Sequence, residues 1–145
     1  SMTKPHLFLF LFVVGLFAVF FVSQNKKMEI ILAGKTFSVE VANTDYTRER
    51  GLSEHKPLLD NQGMIFIFPK PDSYGFWMKD MLVPLDILWI DQNLKIVHLE
   101  KSILPKTYPK VFYPDQLSLY VLEISAGQVD KLGLKAGQTV EFIKK

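Results

Sequence analysis

Cysteine is absent from this chain of 145 residues, and its absence removes several classes of chemistry. Without thiols the protein forms no disulfide framework, thiolate metal site or iron–sulfur cluster, and it has no cysteine nucleophile. The length fits one domain and leaves little room for a separate cofactor-binding half. The sequence therefore predicts a single domain stabilised by an apolar core.

An excess of positive charge is also lacking once the first residues are set aside. Lys4, Lys26 and Lys27 flank an apolar N-terminal stretch, and every acidic residue lies at or after Glu29. Residues 28–145 carry 14 basic and 15 acidic side chains. Because a nucleic-acid binder requires a concentrated basic face, we expect no nucleic-acid partner.

Common catalytic and metal-binding motifs are missing as well. The chain has no His-Glu-x-x-His, no Gly-x-Ser-x-Gly, no P-loop and no dinucleotide-binding glycine pattern. His55 and His98 stand alone and are expected on the solvated surface. Asp80, Asp86 and Asp91 lack the spacing of a compact calcium loop. We predict no metal and no cofactor, and the sequence leaves open whether the protein is an enzyme.

What the chain does have is a long apolar segment near its N-terminus. From Leu7 to Val22 the sequence is LFLFLFVVGLFAVFFV, without a charged side chain. As a helix this run spans roughly 24 Å, and it shows no polar stripe of the kind found on soluble helices. An uncleaved membrane anchor is favoured, because Phe21 and Ser23 are a poor match to a cleavage site, and a cleaved signal peptide is the alternative. Either one would place the following domain outside the cytoplasm.

Residues 1–27 thus form an anchor or signal segment with a linker, and residues 28–145 form one globular domain. Short apolar or alternating runs between turn residues predict eight strands in this domain. The predicted strands are Met28–Ala33, Thr36–Ala42, Met64–Phe68, Gly75–Met78, Leu85–Ile90, Leu94–Leu99, Leu117–Ile124 and Thr139–Ile143.

Two short helices complete the prediction. One covers Thr44–Leu52, with Asn43 or Thr44 as its N-cap. The other follows Ser125, where Ser125 and Gln128 have the spacing of a capping box. Many short strands with two short helices predict an α+β fold whose curled, mostly antiparallel sheet is barrel-like.

A candidate site is predicted where charges and an indole interrupt the apolar strands. Trp77 offers a flat stacking surface, and nearby charged side chains can hydrogen-bond a polar ligand such as a sugar or a peptide. An envelope protein is an alternative partner. The predicted ligand-binding residues are Arg48, Arg50, Trp77, Lys79, Asp80 and Asp86.

Three other interpretations of these residues stay open. An arginine of the first helix could form an internal ion pair with Asp86 or Glu123 and hold the helix against the sheet. A hydrolase of envelope glycans could use Asp86 with Glu123, or with Asp80, as general acid and base. An interaction module without a small-molecule pocket could bind through the proline-containing loop Leu104–Gln116.

Several motifs together resemble a known family. They are Thr47-Arg48-Glu49-Arg50-Gly51-Leu52, Gly63-Met64-Ile65-Phe66-Ile67-Phe68-Pro69, Phe76-Trp77-Met78-Lys79-Asp80, Pro84-Leu85-Asp86, Ile90-Asp91 and Tyr120-Val121-Leu122-Glu123, followed by Gly127, Gly133 and Gly137. In order and spacing they resemble the prokaryotic domain of unknown function 192, over about residues 35–143. The resemblance implies a small, barrel-like α+β domain that is often secreted or membrane-anchored, and it implies no particular activity. Asp80 stands where many members have Asn, and the loop before the late strand lacks the cysteine pair of several members.

Overall fold

The computed structural model describes residues 26–54 and 57–143. The predicted anchor Leu7–Val22 and His55 lie outside these residues. Within the two described ranges, no helix has both the length and the apolar character needed to cross a bilayer.

Seven strands, two helices and one 3₁₀ turn make up the domain. The strands are β1 (Lys27–Leu32), β2 (Lys35–Ala42), β3 (Gln62–Asp72), β4 (Leu85–Ile90), β5 (Ile96–Ile103), β6 (Ser118–Ser125) and β7 (Glu141–Ile143). The helices are α1 (Asp45–Arg50) and α2 (Gln128–Leu132), and the 3₁₀ turn covers Pro105–Thr107. The α+β class and the two short helices are confirmed.

All seven strands belong to one mixed sheet, in the order β5-β4-β6-β3-β2-β1-β7. Five of the neighbouring pairs are antiparallel, and β2 with β3 is parallel. Since parallel strands need a crossover between them, α1 and the loop after it carry the chain back to the start of β3. The prediction of a mostly antiparallel sheet is confirmed.

The barrel-like closure predicted for this sheet is wrong. The two edges of the curled sheet meet only at an isolated bridge between Lys95 and Thr139. The backbone N–H of Val140 donates to Leu94 O (2.8 Å), and that of Ile96 donates to Gln138 O (2.9 Å). In the described part of the chain, β5 and β7 form no ladder with each other. β7 pairs with β1 over Glu141–Ile143, and the contact with the other edge lies before β7, at Thr139.

The segment predicted as a strand over Gly75–Met78 is not one. Only Phe76 pairs there, through a bridge to Phe112 in the proline-containing loop. The segment leaves the sheet and crosses one of its faces, and its apolar side chains pack down onto that face. Tertiary packing rather than strand pairing therefore explains its apolar character.

Side chains of opposite faces form two separate apolar clusters. The first contains Leu88 and Ile124 and includes Val129 of α2. The second contains Ile87 and Val121, and it is covered by Leu52 after α1 and by residues of the crossing segment. Since neighbours along a strand point to opposite faces, residues 86 and 88 belong to the first face, and residues 87 and 123 to the second. We call these the α2 face and the α1 face.

The two helices are capped in different ways. At α1, Thr44 Oγ1 accepts the N–H of Thr47 (3.1 Å), and the N–H of Thr44 donates to Thr47 Oγ1 (3.0 Å), so the predicted cap is confirmed. At α2 the predicted Ser125–Gln128 box is wrong. Gly127 precedes α2 with a φ of 95°, and Ser125 Oγ donates to Leu58 O instead. The left-handed turn at Gly127 points the side chain of Ser125 away from the helix.

Candidate functional site

A cleft of about 280 Å³ lies on the α1 face. Residues 48–53, at the end of α1 and just after it, form one wall, and the crossing segment, from Tyr74 to Met81, forms the other. Phe66 and Phe68 of β3 and Glu123 of β6 line it from the sheet below. Loops and helix ends set over a rigid sheet are a common arrangement for ligand sites.

The rim of the cleft carries an exposed indole. Trp77 is 47% exposed, and its ring lies 5.2 Å from the ring of Tyr108, measured between centroids. Lys79 Nζ lies 5.7 Å from the centroid of the Trp77 ring, within the range of a cation–π contact. The structure thus brings Trp77 and Lys79 to one edge of the cleft, with about half of the Trp77 surface exposed.

Two arginines line the opposite wall, and they differ in their contacts. Arg48 Nη1 donates to Ile67 O (2.8 Å), Nη2 donates to Asp45 Oδ1 (2.8 Å), and the guanidinium stacks over Phe68. These contacts anchor α1 on β3. Among the described residues, the Arg50 side chain makes no hydrogen bond or ion pair, although its backbone carbonyl accepts the N–H of Ser53. Arg50 is therefore the arginine with its donors available to a ligand.

Glu123 is the least expected residue of the cleft. It is 5% exposed, it pairs with Met64 on one side and Ile87 on the other, and its Oε2 is buried without a hydrogen-bond partner among the described residues. Burial raises the pKa of its carboxyl to about 8, because a charged carboxylate is poorly solvated there. At neutral pH the group is mostly a neutral carboxylic acid, which can donate a hydrogen bond.

The close approach of β3 to β6 beneath this residue depends on a glycine. A Cβ at Gly63 would lie 2.4 Å from Glu123 O and 3.0 Å from Ile124 Cγ2. No side chain fits into that space without moving the β6 backbone. Gly63 therefore helps to hold Glu123 at its position in the cleft.

The structure does not bring Asp86 to the cleft. Asp86 is fully buried on the α2 face, where Oδ1 accepts the N–H of Ser102 and Oδ2 accepts the N–H of Val129, both at 2.8 Å. Its two oxygens thus connect β5 and the first turn of α2 to β4. The predicted grouping of Asp86 with Trp77 is wrong, because strand alternation sends the Asp86 side chain through to the other face.

Asp80 lies near the cleft without lining it. It is exposed in a turn with a φ of 57°, and its carbonyl oxygen accepts the N–H of Glu54 (2.8 Å). Aspartate is among the residues that tolerate this left-handed conformation best. In this structure Asp80 shapes the turn after Lys79.

The paired-carboxylate arrangement is also wrong. Asp86 lies opposite Ile124 and Glu123 lies opposite Ile87, so their side chains leave the sheet on opposite faces. Asp80 is exposed on a loop, and Asp86 is sealed below α2, so these two do not meet either. The proposed internal ion pairs are absent too, because Arg48 pairs with Asp45, and Glu123 Oε2 has no partner in the part of the chain that is described.

Glu123 was not predicted as a ligand-binding residue, although its position in the sequence offered one indication. A carboxylate within an apolar strand requires either a partner or a function. The aromatic strand residues that line the cleft, Phe66 and Phe68, gave no such signal, because apolar side chains on strands are normally core. Their place at the cleft follows only from the course of the crossing segment.

His98 is not a solvated surface residue as expected. Its Nδ1 lies 3.0 Å from Asp115 Oδ2, and its Nε2 lies 3.1 Å from Glu100 Oε1. The ring thereby ties the proline-containing loop to β5. Within residues 26–54 and 57–143, no group of three or more histidine or acidic side chains is arranged to hold a metal.

Two solved structures are similar to the whole domain. A protein of unknown function from Novosphingobium aromaticivorans DSM 12444 is 30% identical, with a TM-score of 0.77 over 83% of this chain and 88% of that one. A proposed transcription regulator from Sinorhizobium meliloti 1021 is 28% identical, with a TM-score of 0.76 over 82% of this chain and 95% of that one. No curated protein matches the chain.

The family comparison agrees with the motifs quoted above. The family model DUF192, described as an uncharacterized ACR, matches residues 28–142, which is nearly the whole span from β1 to β7. The chain therefore belongs to the DUF192 family.

Proposed function

We propose that this domain binds a small polar ligand, a sugar acid, in the cleft between α1 and the crossing segment. The observation that carries the proposal is the composition of the cleft, where an exposed indole and three cations line the same cavity as Glu123, whose buried Oε2 has no partner among the described residues. Ligand sites typically combine apolar walls with a few converging polar groups. The volume of about 280 Å³ suits one monosaccharide better than a polymer.

Charge supports an anionic ligand. Arg48, Arg50 and Lys79 line the cleft together with one exposed acid, Glu49, while Glu123 is mostly neutral at pH 7. Because Arg48 is paired with Asp45, the excess of positive charge comes from Arg50 and Lys79 against Glu49, and in a partly enclosed site it attracts anions. The sequence predicted a polar ligand such as a sugar or a peptide. A sugar acid, unlike a neutral sugar, uses both this charge and the Trp77 ring, which suits the apolar face of a sugar ring.

Gene regulation, as described for the S. meliloti protein, is less well supported in this chain. Residues 28–145 carry 14 basic and 15 acidic side chains, so the domain has no charge surplus for binding a phosphate backbone. Three cations around one small cleft favour a small anion over a duplex.

The proposal includes the cellular setting expected from the sequence. The uncharged run Leu7–Val22 would anchor the chain in the cell membrane, with the domain on the extracytoplasmic side. The linker 23–27 would span at most about 17 Å when extended. A cleft held that close to a membrane would meet sugar acids released or displayed at the cell envelope.

Binding to the full-length chain can be measured by calorimetry with D-glucuronate, using D-glucose as the neutral probe of equal ring size. We expect saturable binding of glucuronate that is tighter than that of glucose, since only glucuronate carries the carboxylate. Replacing Trp77 by alanine should weaken glucuronate binding about tenfold through loss of ring stacking. Arg50→Gln should reduce the preference for glucuronate over glucose.

The matched control is Tyr46→Ala, because Tyr46 is 69% exposed on α1 and does not line the cleft. This variant should bind glucuronate like the unchanged chain. No saturable binding, or equal weakening by Trp77→Ala and Tyr46→Ala, would reject a sugar-acid site in the cleft. Absence of glucuronate binding, together with release of a co-purifying protein on deletion within Leu104–Gln116, would instead favour the interaction module.

A further inference from the structure

We infer that Glu123 recognises the ligand as a carboxylic acid, donating its proton in a hydrogen bond to an anionic oxygen of the ligand. This inference rests on the proposed function of the cleft and specifies the chemistry of its floor. It limits the ligand to one that presents a hydrogen-bond acceptor, such as a carboxylate, at the depth of Glu123. It also makes ligand binding depend on the protonation of Glu123.

The geometry provides the first argument. A buried polar atom without a partner is rare in folded proteins, and Glu123 Oε2 is such an atom in the described part of the chain. The residue is 5% exposed and lines the cleft, so a ligand that fills the cleft lies against the Glu123 side chain. A ligand oxygen would supply the missing hydrogen bond.

The state of the carboxyl provides the second argument. Met64 and Ile87 flank Glu123 in the sheet, and neither can solvate a charge. Burial raises the pKa of Glu123 to about 8, so at pH 7 the free protein offers an O–H donor there. An anionic ligand oxygen can accept a hydrogen bond from this O–H. A deprotonated Glu123 would instead repel the same oxygen, because both groups would be negatively charged.

The other charged groups that line the cleft agree with this chemistry. Arg48, Glu49 and Arg50 face it from α1, and Lys79 and Tyr74 face it from the crossing segment. Burial raises the pKa of Tyr74 above its usual 10.0, so its hydroxyl stays neutral when Glu123 ionises. Three cations also disfavour a ligand that carries an ammonium group.

Glucuronate binding to the full-length chain between pH 6 and 9.5 tests the inference. We expect the affinity to be nearly constant below pH 7.5 and to fall about tenfold per pH unit well above pH 8, as Glu123 loses its proton. Glu123→Gln keeps a donor that does not titrate, so this variant should bind at pH 7 and lose the steep fall. Glu123→Met keeps the size without the donor and should bind at least tenfold more weakly at pH 7.

Two controls separate the effect of the Glu123 proton on binding from the effect of the positive charge in the cleft. Lys79→Gln should weaken binding and still show the fall above pH 8, because Glu123 is unchanged. Glucosamine, a cationic sugar of similar size, should bind more weakly than glucose at pH 7. Circular dichroism of each variant verifies the fold before titration.

The outcomes distinguish this inference from the function on which it rests. If glucuronate binds with the expected dependence on Trp77 but Glu123→Met binds as tightly as the unchanged chain, Glu123 is not the donor and the inference fails alone. A pH profile shared by the unchanged chain and Glu123→Gln leads to the same conclusion. If glucuronate does not bind at all, the proposed function fails as well.

Discussion

At the scale of single residues, the burial of Glu123 makes the stability of the domain depend on pH. A carboxyl whose pKa is raised to about 8 folds preferentially in its protonated form. In the unfolded chain it ionises near 4.5, so between pH 4.5 and 8 the folded state binds one proton more than the unfolded state. The stability that depends on this proton is complete below pH 4.5 and is lost as the pH rises towards 8.

This linkage predicts how Glu123→Gln changes the free energy of unfolding. As the pH rises from 4.5 to 8, the free energy of unfolding of the variant should increase relative to that of the unchanged chain by roughly 1 kcal/mol per pH unit. Above pH 8 this difference should level off. Urea unfolding of both proteins at several pH values measures this difference. Subtracting the two free energies removes the contribution of titrating groups that both chains share. A difference that stays constant with pH would show that Glu123 is not protonated in the folded domain.

At the scale of elements, a side chain on a distant strand accepts a hydrogen bond from the N-terminal turn of α2. Asp86 on β4 accepts the N–H of Val129 in α2 and that of Ser102 on β5, so one side chain joins a helix and two strands. A helix of five residues has little stability of its own and depends on such tertiary contacts. A local capping box would fix only the start of α2, whereas this arrangement also fixes its position over the sheet.

Asp86→Ala should therefore lower the free energy of unfolding by about 2–4 kcal/mol, because two inward-facing N–H groups lose their acceptor. Asp130→Ala is the matched control: Asp130 is also on α2, but its ion pair with Lys101 is exposed, and its loss should change stability by less than about 1 kcal/mol. Chemical denaturation measures both. Equal effects would show that Asp86 does not hold α2.

Glucuronate titration of Asp86→Ala adds a second test at this scale. Because Asp86 lies on the α2 face and the cleft lies on the α1 face, binding should be retained wherever the variant is folded. Specific loss of binding in folded protein would restore Asp86 as a ligand residue.

At the scale of the whole molecule, the two faces of the sheet differ in what they support. The α2 face contains the apolar cluster enclosed by the curled sheet, and the α1 face supports the cleft. Lys27, at the start of β1, lies five residues after the end of the predicted anchor at Val22. The described strands leave the cleft uncovered.

Membrane tethering is tested by fractionating cells that express the full-length chain with a C-terminal tag. We expect the tag in the membrane fraction after alkaline washing, and protease added to spheroplasts should remove it. Deleting residues 1–25 should leave the domain soluble in the cytoplasm, since it then lacks an apolar signal. A full-length chain that is soluble in the cytoplasm would contradict the anchor, and a shortened, soluble extracytoplasmic form would identify a cleaved signal peptide.

The sequence by itself determined the class of the fold and most of its elements. Alternation of apolar residues marks strands such as Thr36–Ala42, and the cap at Thr44 marks α1, because these signals depend on neighbours within a few residues. It also indicated Arg48, Arg50, Trp77 and Lys79, which the structure brings to one cleft. Charged and aromatic side chains between apolar strands require partners, and this requirement is visible without coordinates.

Only the tertiary structure decided which of these residues meet. Strand pairing sends Asp86 and Glu123 to opposite faces, and the crossing segment encloses Glu123 rather than Asp86. The open edge of the sheet and the cap of α2 were likewise set by contacts between residues far apart in sequence. Burial raises the pKa of Glu123 only when β3, β4 and β6 lie side by side, so the chemistry proposed for this residue exists in the folded domain alone.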